Sequence, residues 1–332
     1  MTTHRIRILP SGHEFECSDH QSLLHAALES GIHLHYGCEN GSCGECLAKL
    51  VDGEIEAIRH SDFVLSPQQK ADGRFLSCCQ APRSDCVIQA DEVGSPREIP
   101  QQQIEARVYR LECLSEDVMQ LSLKTPRSQP LQFLAGQHIR LDFGNGLSRN
   151  KSIASCPCDG LKPQIHVKYR SGDPFSEHVF RTLKKNDRVC LEGPCGDFVL
   201  DDDTTRPLIF IAYDTGFASI KSLIEHAIAL DKPQPIHVYW VVTPNHSPYL
   251  ENYCRSIEDA LDNVRYFPIA IREPSDECID AVIGKIIGQE EAIKFSDVYL
   301  TLPEAYRSIA ERRFQQAGID DRHWRIDHLV RV

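Results

Sequence analysis

Three cysteines in a glycine-rich stretch have the type and spacing of ligands for an iron–sulfur cluster. Cys38, Cys43 and Cys46 follow the pattern C-x4-C-x2-C, which supplies three of the four thiolates that a 2Fe–2S cluster needs. Glycines between and beside these cysteines allow the tight wrapping that points backbone N–H groups at anionic sulfur. Zinc sites favour paired, shorter spacings. The stretch therefore predicts a 2Fe–2S cluster rather than a zinc site or a set of inert thiols.

The fourth thiolate must come from a later segment, where two adjacent cysteines, Cys78 and Cys79, are both available. This segment resembles the plant-type ferredoxins, whose pattern is L-x-C-x-x-x-P-x-S-D. The matching residues here are Leu76, Cys78, Pro82, Ser84 and Asp85. The resemblance implies that Cys78 is the fourth ligand and that Cys79 is only its neighbour.

The remaining two-thirds of the chain resembles the ferredoxin–NADP reductase superfamily. The order of its parts is similar to that of the reductase components of bacterial oxygenases, and especially to the CDP-6-deoxy-glucoseen reductase-like group. The best-matched stretches are residues 152–155, 175–180, 192–198 and 215–221. The resemblance implies an oxidoreductase for electron transport, a flavoprotein that passes electrons between FAD and the cluster to a protein redox partner such as an oxygenase.

The same resemblance implies an FAD site built from two segments. The family's R-x-Y-[ST] segment corresponds to Arg149, Lys151 and Ser152, so Arg149 would pair with the flavin pyrophosphate and Ser152 would hydrogen-bond the flavin ring. Lys151 replaces a stacking tyrosine, and Asp173 replaces a glycine near the expected phosphate. We expect FAD to be retained. The candidate FAD residues are Arg149, Lys151, Ser152, Ile153, Gly172, Phe175 and Ser176.

The expected nicotinamide site departs further from the family. The glycine-rich turn G-G-T-G is replaced by Tyr213, Asp214, Thr215 and Gly216, the family's C-G pair begins here with Thr301, and the arginine after the next strand is absent. A carboxylate about 4 Å from a phosphate costs on the order of 4 kcal/mol at an effective dielectric near 20, or about a thousandfold in affinity. We expect impaired NAD(P)H binding at this degenerate site.

Hydrophobic patterning distributes these motifs over three domains. Residues 1–96 are expected to form an α+β, β-grasp ferredoxin domain, and residues 97–103 a linker. Short alternating runs over 104–203 predict a β-barrel, and the resemblance implies that it binds FAD. From residue 204 to 332, apolar strands alternate with helical stretches, which predicts an α/β domain with a doubly wound parallel sheet. The resemblance implies that this domain is NAD(P)-binding-like.

The predicted elements of the first and last domains are specific. In the first, Ser22 is expected to cap a helix over residues 23–30. In the last, the expected strands are residues 207–212, 236–242, 264–269 and 297–300. The expected helices of that domain are residues 219–230, 248–261 and 304–317.

Composition and charge narrow the classes of partner and location. The net charge of −12 argues against nucleic acid, since phosphate binding needs a basic surface. Residues 1–98 hold 15 Asp and Glu against 8 Lys and Arg, which either aids solubility or steers docking to a basic patch on a redox partner. No apolar run has the length of a transmembrane helix, and the first residues lack the apolar stretch of a secretion signal. We expect a cytoplasmic protein whose 14 cysteines serve metal and redox chemistry or act as buried thiols.

Two hypotheses remain open from the sequence. In the first, the chain is an iron–sulfur flavoprotein reductase. In the second, the altered nicotinamide site marks a derived electron relay, or an accessory or assembly subunit, that no longer oxidises NAD(P)H. Both predict the cluster, and neither assigns a catalytic acid, base or nucleophile. Whether NADH, NADPH or neither is the donor stays open.

Overall fold

The first part of the chain forms a mixed sheet with one helix packed on it. The computed structural model describes residues 2–243 and 248–329. The elements of this part are β1 (Thr3–Leu9), β2 (Glu14–Ser18), α1 (Leu23–Glu29), β3 (Leu47–Asp52), β4 (Ile55–Ala57), α2 (Pro67–Ala71), β5 (Arg74–Leu76), β6 (Gln80–Pro82) and β7 (Cys86–Gln89). Five strands lie in the order β2-β1-β7-β3-β5, and β4 pairs separately with β6.

The helix α1 is positioned by its cap and by its apolar face. The Ser22 side chain accepts a hydrogen bond from the His25 N–H at 3.3 Å, as expected for an N-cap. Five of the seven helix residues are buried in the core that the helix shares with the sheet. Gly31 follows the helix with a φ of +76°, a conformation that suits glycine. The predicted helix is therefore present and ends one residue earlier than expected.

The second part is a six-stranded antiparallel barrel. Its elements are β8 (Gln102–Cys113), β9 (Val118–Lys124), β10 (His138–Asp142), β11 (Ser148–Ser152), β12 (Gln164–Lys168), α3 (Pro174–Arg181) and β13 (Arg188–Cys195). The strand order is β11-β10-β13-β8-β9-β12. A bridge between Ile153 and Ile165 joins the two edges and nearly closes the barrel. Since β8 already begins at Gln102, regular structure starts within the segment expected to be a linker.

The third part is a five-stranded sheet in which every neighbouring pair of strands is parallel. Its elements are β14 (Leu208–Tyr213), α4 (Phe217–Ala229), β15 (Ile236–Val242), α5 (Glu251–Ala260), β16 (Val264–Ala270), α6 (Asp276–Gln289), β17 (Asp297–Pro303), α7 (Arg307–Gln316) and β18 (Trp324–Leu329). The strand order is β16-β15-β14-β17-β18. Helices α4 and α5 contribute to the core on one face, and α6 and α7 to the core on the other.

The expected fold class is confirmed in all three parts. The predictions did not include α6, whose two glycines weaken its helical signal, or β18, a short strand in which only half of the residues are apolar. The domain boundaries at residues 96, 103 and 203 stay predictions. Among the described residues, no helix is both long and apolar enough to cross a membrane.

Candidate functional site

The four cysteines expected to hold the cluster lie together at one end of the first sheet. The Sγ atoms of Cys46 and Cys78 are 3.3 Å apart. The Cys43 N–H donates to the Cys38 Sγ at 3.4 Å, and the Glu45 N–H donates to the Cys43 Sγ at 3.4 Å. The thiols are thus arranged as two pairs, one formed by Cys38 and Cys43 and the other by Cys46 and Cys78.

Hydrogen bonds favour the thiolate, the form that ligates iron, at one sulfur of each pair. The pKa values of the other two thiols are raised, that of Cys43 by burial and that of Cys78 by its hydrogen bond with Cys46. Burial raises the pKa of Cys38, but hydrogen bonds from Cys43 and the Asn40 backbone outweigh it and lower the pKa to about 7. A hydrogen bond from Cys78 lowers the pKa of Cys46 to about 6. Within the described residues, no three His, Cys, Asp or Glu side chains converge as a single-ion site. Two thiol pairs instead suit a cluster with two irons, so the residues fit this group.

Cys79 is buried beside the ligand candidates but faces another part of the loop. Its Sγ lies 3.6 Å from the Cys78 Sγ and 4.0 Å from the carbonyl oxygen of His60. A Cβ added to Gly41, whose φ is +80°, would lie 2.6 Å from the Cys79 Sγ. Cys79 therefore packs against the glycine of the loop, while Cys78 faces Cys46.

The expected FAD residues meet where strand β11 faces the start of helix α3. Asp173 caps α3 by accepting the Ser176 N–H at 3.0 Å, and its other oxygen accepts a hydrogen bond from the Arg149 guanidinium at 2.8 Å. Burial raises the pKa of Asp173, but the bonds from Ser176 and Arg149 outweigh it, so the pKa is lowered. Asp173 was expected to disturb a phosphate site. In the structure its charge is instead compensated by Arg149.

Lys151 gives this region an excess of positive charge. Its Nζ lies 5.6 Å from the centre of the Phe175 ring, and the Arg149 guanidinium is 5.9 Å from the same ring. Burial, with a further contribution from Arg170, lowers the pKa of Lys151 to about 8. Three cations thus lie near two carboxylates, those of Asp173 and of Glu177, whose Oε1 accepts the Gly172 N–H at 3.1 Å. A diphosphate would supply the missing negative charge, so the side chains present fit FAD.

The other FAD candidates shape the same region. Ile153 forms the bridge that closes the barrel, and Gly172 has a φ of +81° just before α3. The buried Ser176 Oγ accepts the Arg170 N–H at 3.0 Å. The Ser152 Oγ lies 3.4 Å from a carboxylate oxygen of Asp327 on β18. Strand β18 therefore approaches the expected position of the flavin ring.

At the expected nicotinamide site, Asp214 forms an ion pair across two domains. Its carboxylate lies 2.5 Å from the Nζ of Lys168 on β12, and Asp117 is 3.6 Å from the same Nζ. Because the two carboxylates share one lysine, the repulsion of a phosphate that the sequence predicts is reduced but not cancelled, and it stays a prediction. The pair nonetheless lies at the carboxyl end of β14, the edge where dinucleotides bind to such sheets.

The other residues of this site are mostly buried. The Tyr213 ring packs 6.4 Å from the Tyr306 ring, in the core that includes residues of α6 and α7. Thr301 is fully buried, and its Oγ1 accepts the Tyr213 N–H at 3.2 Å. Thr215 and Gly216 lie in the short turn that leads into α4. The substitutions therefore serve packing as well as altering the turn.

Comparison with known proteins identifies two of the three parts. Residues 6–83 match the family model described as a 2Fe-2S iron-sulfur cluster binding domain, and residues 105–200 match the oxidoreductase FAD-binding domain. The CDP-6-deoxy-L-threo-D-glycero-4-hexulose-3-dehydrase reductase of Yersinia pestis is 31% identical over 81% of this chain and 80% of its own length. The terephthalate 1,2-dioxygenase reductase component 1 of Comamonas is 31% identical over 85% and 83%.

The chain belongs to the family of iron–sulfur flavoprotein reductases that includes these relatives. The reductase also shares its fold with the Amycolatopsis cytochrome P450 reductase GcoB, with a TM-score of 0.62 and 24% identity over 98% of both chains. It is an oxidoreductase that carries a 2Fe–2S cluster and FAD, and it passes electrons to a protein partner. The second hypothesis from the sequence, an accessory or assembly subunit, is not favoured.

Sequence reasoning missed two charged residues of the reductase. Lys168 and Asp327 lie on β12 and β18, far in sequence from the motifs that they contact. Asp327 also accepts a hydrogen bond from the Ser219 hydroxyl at 3.1 Å. No local pattern identifies either residue, because their contacts join parts of the chain that are distant in sequence, both between domains and within one.

Proposed function

We propose that this reductase takes electron pairs from a reduced nicotinamide nucleotide and delivers single electrons to an oxygenase or to a deoxysugar-type dehydrase. The proposal is carried by the joint presence of cluster and FAD domains in a chain similar to reductases of both systems. Bound FAD supplies the conversion between two-electron and one-electron steps. The chain's own residues hold the two groups and set the route between them. We infer that the reductase carries out this electron transfer in the cytoplasm.

We propose Cys38, Cys43, Cys46 and Cys78 as the cluster ligands. Three observations support this set: the sulfurs form two pairs, backbone N–H groups donate to the Cys38 and Cys43 sulfurs, and Cys78 is buried. Hydrogen bonds to sulfur stabilise the anionic ligands and raise the reduction potential of such clusters.

For FAD, we propose that Lys151 and Arg149 bind the diphosphate at the start of α3. The cation excess around Asp173 supports this assignment, and the exposed backbone at Gly172 leaves room beside it. Ser152 would donate a hydrogen bond to the flavin ring. Ile153, together with Phe175 and Ser176 in the first turn of α3, would form the walls of the site.

The nucleotide is proposed to bind weakly at the turn formed by Asp214, Thr215 and Gly216. Because Lys168 and Asp214 join the second and third domains there, the phosphates must displace or rearrange this pair before they can approach the turn. The lost ion pair reduces the net binding free energy.

Anaerobic addition of NADH or NADPH to the purified holoprotein tests the proposed function. We expect the flavin and cluster absorption to bleach with at least one nucleotide at high concentration. If a chemical reductant bleaches both groups and neither nucleotide does so, the nucleotide is not the donor.

A further inference from the structure

The segment of residues 31–39, called the joint segment below, connects helix α1 to the cysteine loop. It belongs to the first domain, where the Val93 N–H donates to the His33 carbonyl at 2.7 Å. The segment includes Cys38, the first of the proposed cluster ligands. Its position therefore decides where the cysteine loop begins.

The first half of the joint segment packs on helix α4 of the third domain. A Cβ added to Gly31 would lie 2.9 Å from the Leu230 side chain and 3.3 Å from its backbone N. The centres of the His33 and His226 rings are 5.3 Å apart, and both side chains are buried. Because His226 and Leu230 are four residues apart, one face of α4 makes both contacts.

The second half of the joint segment packs on the barrel. Tyr36 is buried, and a Cβ added to Gly160 would lie 3.5 Å from its hydroxyl oxygen. The Glu39 N–H donates to the carbonyl of Arg127 at 3.3 Å. Cys38 lies between these two contact residues, so the barrel holds the segment on both sides of the ligand.

Helix α4 also holds the part of the barrel that follows the proposed flavin residues 152 and 153. The Glu225 carboxylate accepts the Cys156 N–H at 2.9 Å, and the buried Lys221 Nζ donates to the Ala154 carbonyl at 2.9 Å. Lys221 and Glu225 form an ion pair of 2.5 Å with each other. The same helix therefore contacts the flavin side and the cluster side of the electron route.

The two histidine rings of the joint meet without charge repulsion. Burial, with a further contribution from His226, lowers the pKa of His33 to about 3, so His33 is neutral at neutral pH. The His226 Nε2 lies 2.8 Å from the Oδ1 of Asp202. Among the residues that the structure describes, the His33 Nε2 and the His226 Nδ1 have no hydrogen-bond partner. Ring packing therefore makes this contact, at a spacing usual for aromatic pairs.

We propose that the joint segment and helix α4 hold the cluster at a fixed distance from the flavin, with His33 and His226 as positioning residues. This inference rests on the proposed function, in which reduced FAD supplies the cluster. One electron leaves the reduced flavin and enters the oxidised cluster, so the step needs no further reactant. Because electron tunnelling slows steeply with distance, a loosened joint would make the transfer wait for domain movement.

The test uses holoprotein variants that remove the ring contact from either side. His33→Ala removes it from the first domain, and His226→Ala removes it from α4. His33→Phe keeps a ring at position 33 and is the conservative variant. His20→Ala is the matched control, since this histidine of the first domain is 72% exposed and pairs with Asp19. If His33→Ala loses its cluster, His226→Ala carries the test, because its substitution lies outside the first domain.

The rate of transfer from flavin to cluster is the first measurement. A photochemically generated reductant reduces the flavin of each anaerobic holoprotein, and absorbance at flavin and cluster wavelengths follows the electron. We expect both alanine variants to slow the transfer about tenfold, since misplacing reacting groups by about 1 Å can cost about a hundredfold. The reduction potentials of both groups should be unchanged. His33→Phe and His20→Ala should keep the wild-type rate, and added glycerol should slow only the alanine variants.

Hydrogen exchange, followed by mass spectrometry, tests the joint without any electron transfer. In both alanine variants we expect faster exchange over residues 31–39 and 221–230, with no change over residues 3–18. The double variant should match either single variant, because all three lack the same contact.

The outcomes separate this inference from the proposed function. If the alanine variants transfer electrons at the wild-type rate, or if residues 31–39 exchange no faster in them, the joint does not position the cluster. The same holds if altered reduction potentials account for the slower rate, if glycerol slows the wild type equally, or if His33→Phe is as slow as His33→Ala. If the reduced flavin of the wild type passes no electron to its intact cluster, the proposed function itself is wrong.

Discussion

The two adjacent cysteines at 78 and 79 differ in what their sulfurs face. Cys78 is 3.3 Å from Cys46 across the loop, whereas Cys79 packs toward Gly41 and His60. Both are buried, so exposure does not separate them. The direction in which each sulfur points therefore decides which of the two thiols can share an iron with Cys46.

Replacing each of these cysteines by serine tests the assignment. We expect Cys78→Ser to remove most of the visible absorption of the cluster, because one iron would lose a thiolate ligand. Cys79→Ser, the matched control, should retain it. Iron and sulfide analysis with the visible spectrum measures both. Loss of the cluster in Cys79→Ser alone would contradict the proposed set.

Lys151 is predicted to lower the stability of the FAD-free protein in a pH-dependent way. Its folded-state pKa is lowered to about 8 from 10.5 by burial and then by Arg170. Between these values the unfolded chain binds more protons, so stability rises with pH. The charged lysine is therefore most costly below pH 8. Relative to Lys151→Met, the wild type should gain unfolding free energy from pH 8 to 10.5, as chemical denaturation would measure.

The same substitution should have the opposite effect on the cofactor. A hydrogen bond to a charged group contributes about 1.5–3 kcal/mol, so we expect Lys151→Met to weaken FAD binding at least about tenfold. Fluorescence titration of the FAD-free protein measures this affinity. Equal affinity for FAD, together with a pH-independent difference in stability, would remove Lys151 from the site.

At the scale of elements, the cysteine loop depends on glycine for both its backbone and its packing. Gly41 has a φ of +80°, and a Cβ there would lie 3.2 Å from the His60 carbonyl oxygen as well as close to Cys79. The segment 58–65 is held to the loop through the Gly41 carbonyl. Backbone conformation, sulfur packing and the neighbouring segment therefore meet at this one residue.

Gly41→Ala should destabilise this element by about 2 kcal/mol, because an L-residue in the left-handed region costs about 1–2 kcal/mol before any clash. Gly94→Ala is the control, since a Cβ there meets no atom within 4 Å and no left-handed φ is required. Thermal unfolding and iron content measure the two variants. If the two variants have the same unfolding temperature and iron content, the loop does not require glycine at position 41.

Much of this could be predicted from local sequence, and the exceptions share one cause. The cysteine spacing, the cap at Ser22 and the alternation of apolar strands are local patterns, so the cluster loop, α1 and the parallel sheet were predictable. The pairing of Lys168 with Asp214 joins residues 46 positions apart, and it reduces the repulsion argued from Asp214 alone. Contacts between domains leave no periodic signal in the sequence.

At the scale of the whole molecule, the order of the three domains sets a route for electrons. The cysteine loop contacts the barrel through Glu39 and Arg127, and the barrel contacts the parallel sheet through Lys168 and Asp214. Ser152 and Asp327 form a second contact between these domains. The flavin domain thus contacts both the cysteine loop and the nucleotide turn, although the first domain also packs directly on the third through the His33 and His226 rings, whose centroids are 5.3 Å apart.

Asp214→Asn should strengthen nucleotide binding by opening the pair between two domains. Asparagine tolerates the φ of +50° at this position, and Lys168, then paired with Asp117 rather than with two carboxylates, can meet a phosphate. We expect a roughly tenfold lower Kd for the nucleotide, as for one hydrogen bond to a charged group. Lys168→Gln leaves Asp214 without this partner and should weaken binding. Isothermal titration with NADH and NADPH measures the Kd of each variant. If the two substitutions change the Kd in the same direction, the role given to the ion pair is contradicted.

The central claim is that electrons pass from the flavin to the cluster within this chain. Anaerobic stopped-flow mixing with NADH or NADPH, followed at flavin and cluster wavelengths and by electron paramagnetic resonance, tests it most directly. We predict that flavin bleaching is followed by cluster bleaching and by the signal of a reduced 2Fe–2S centre. In Cys78→Ser, only the flavin should bleach. A wild-type flavin that is reduced while its intact cluster stays oxidised, or neither group reduced by either nucleotide, would contradict the account.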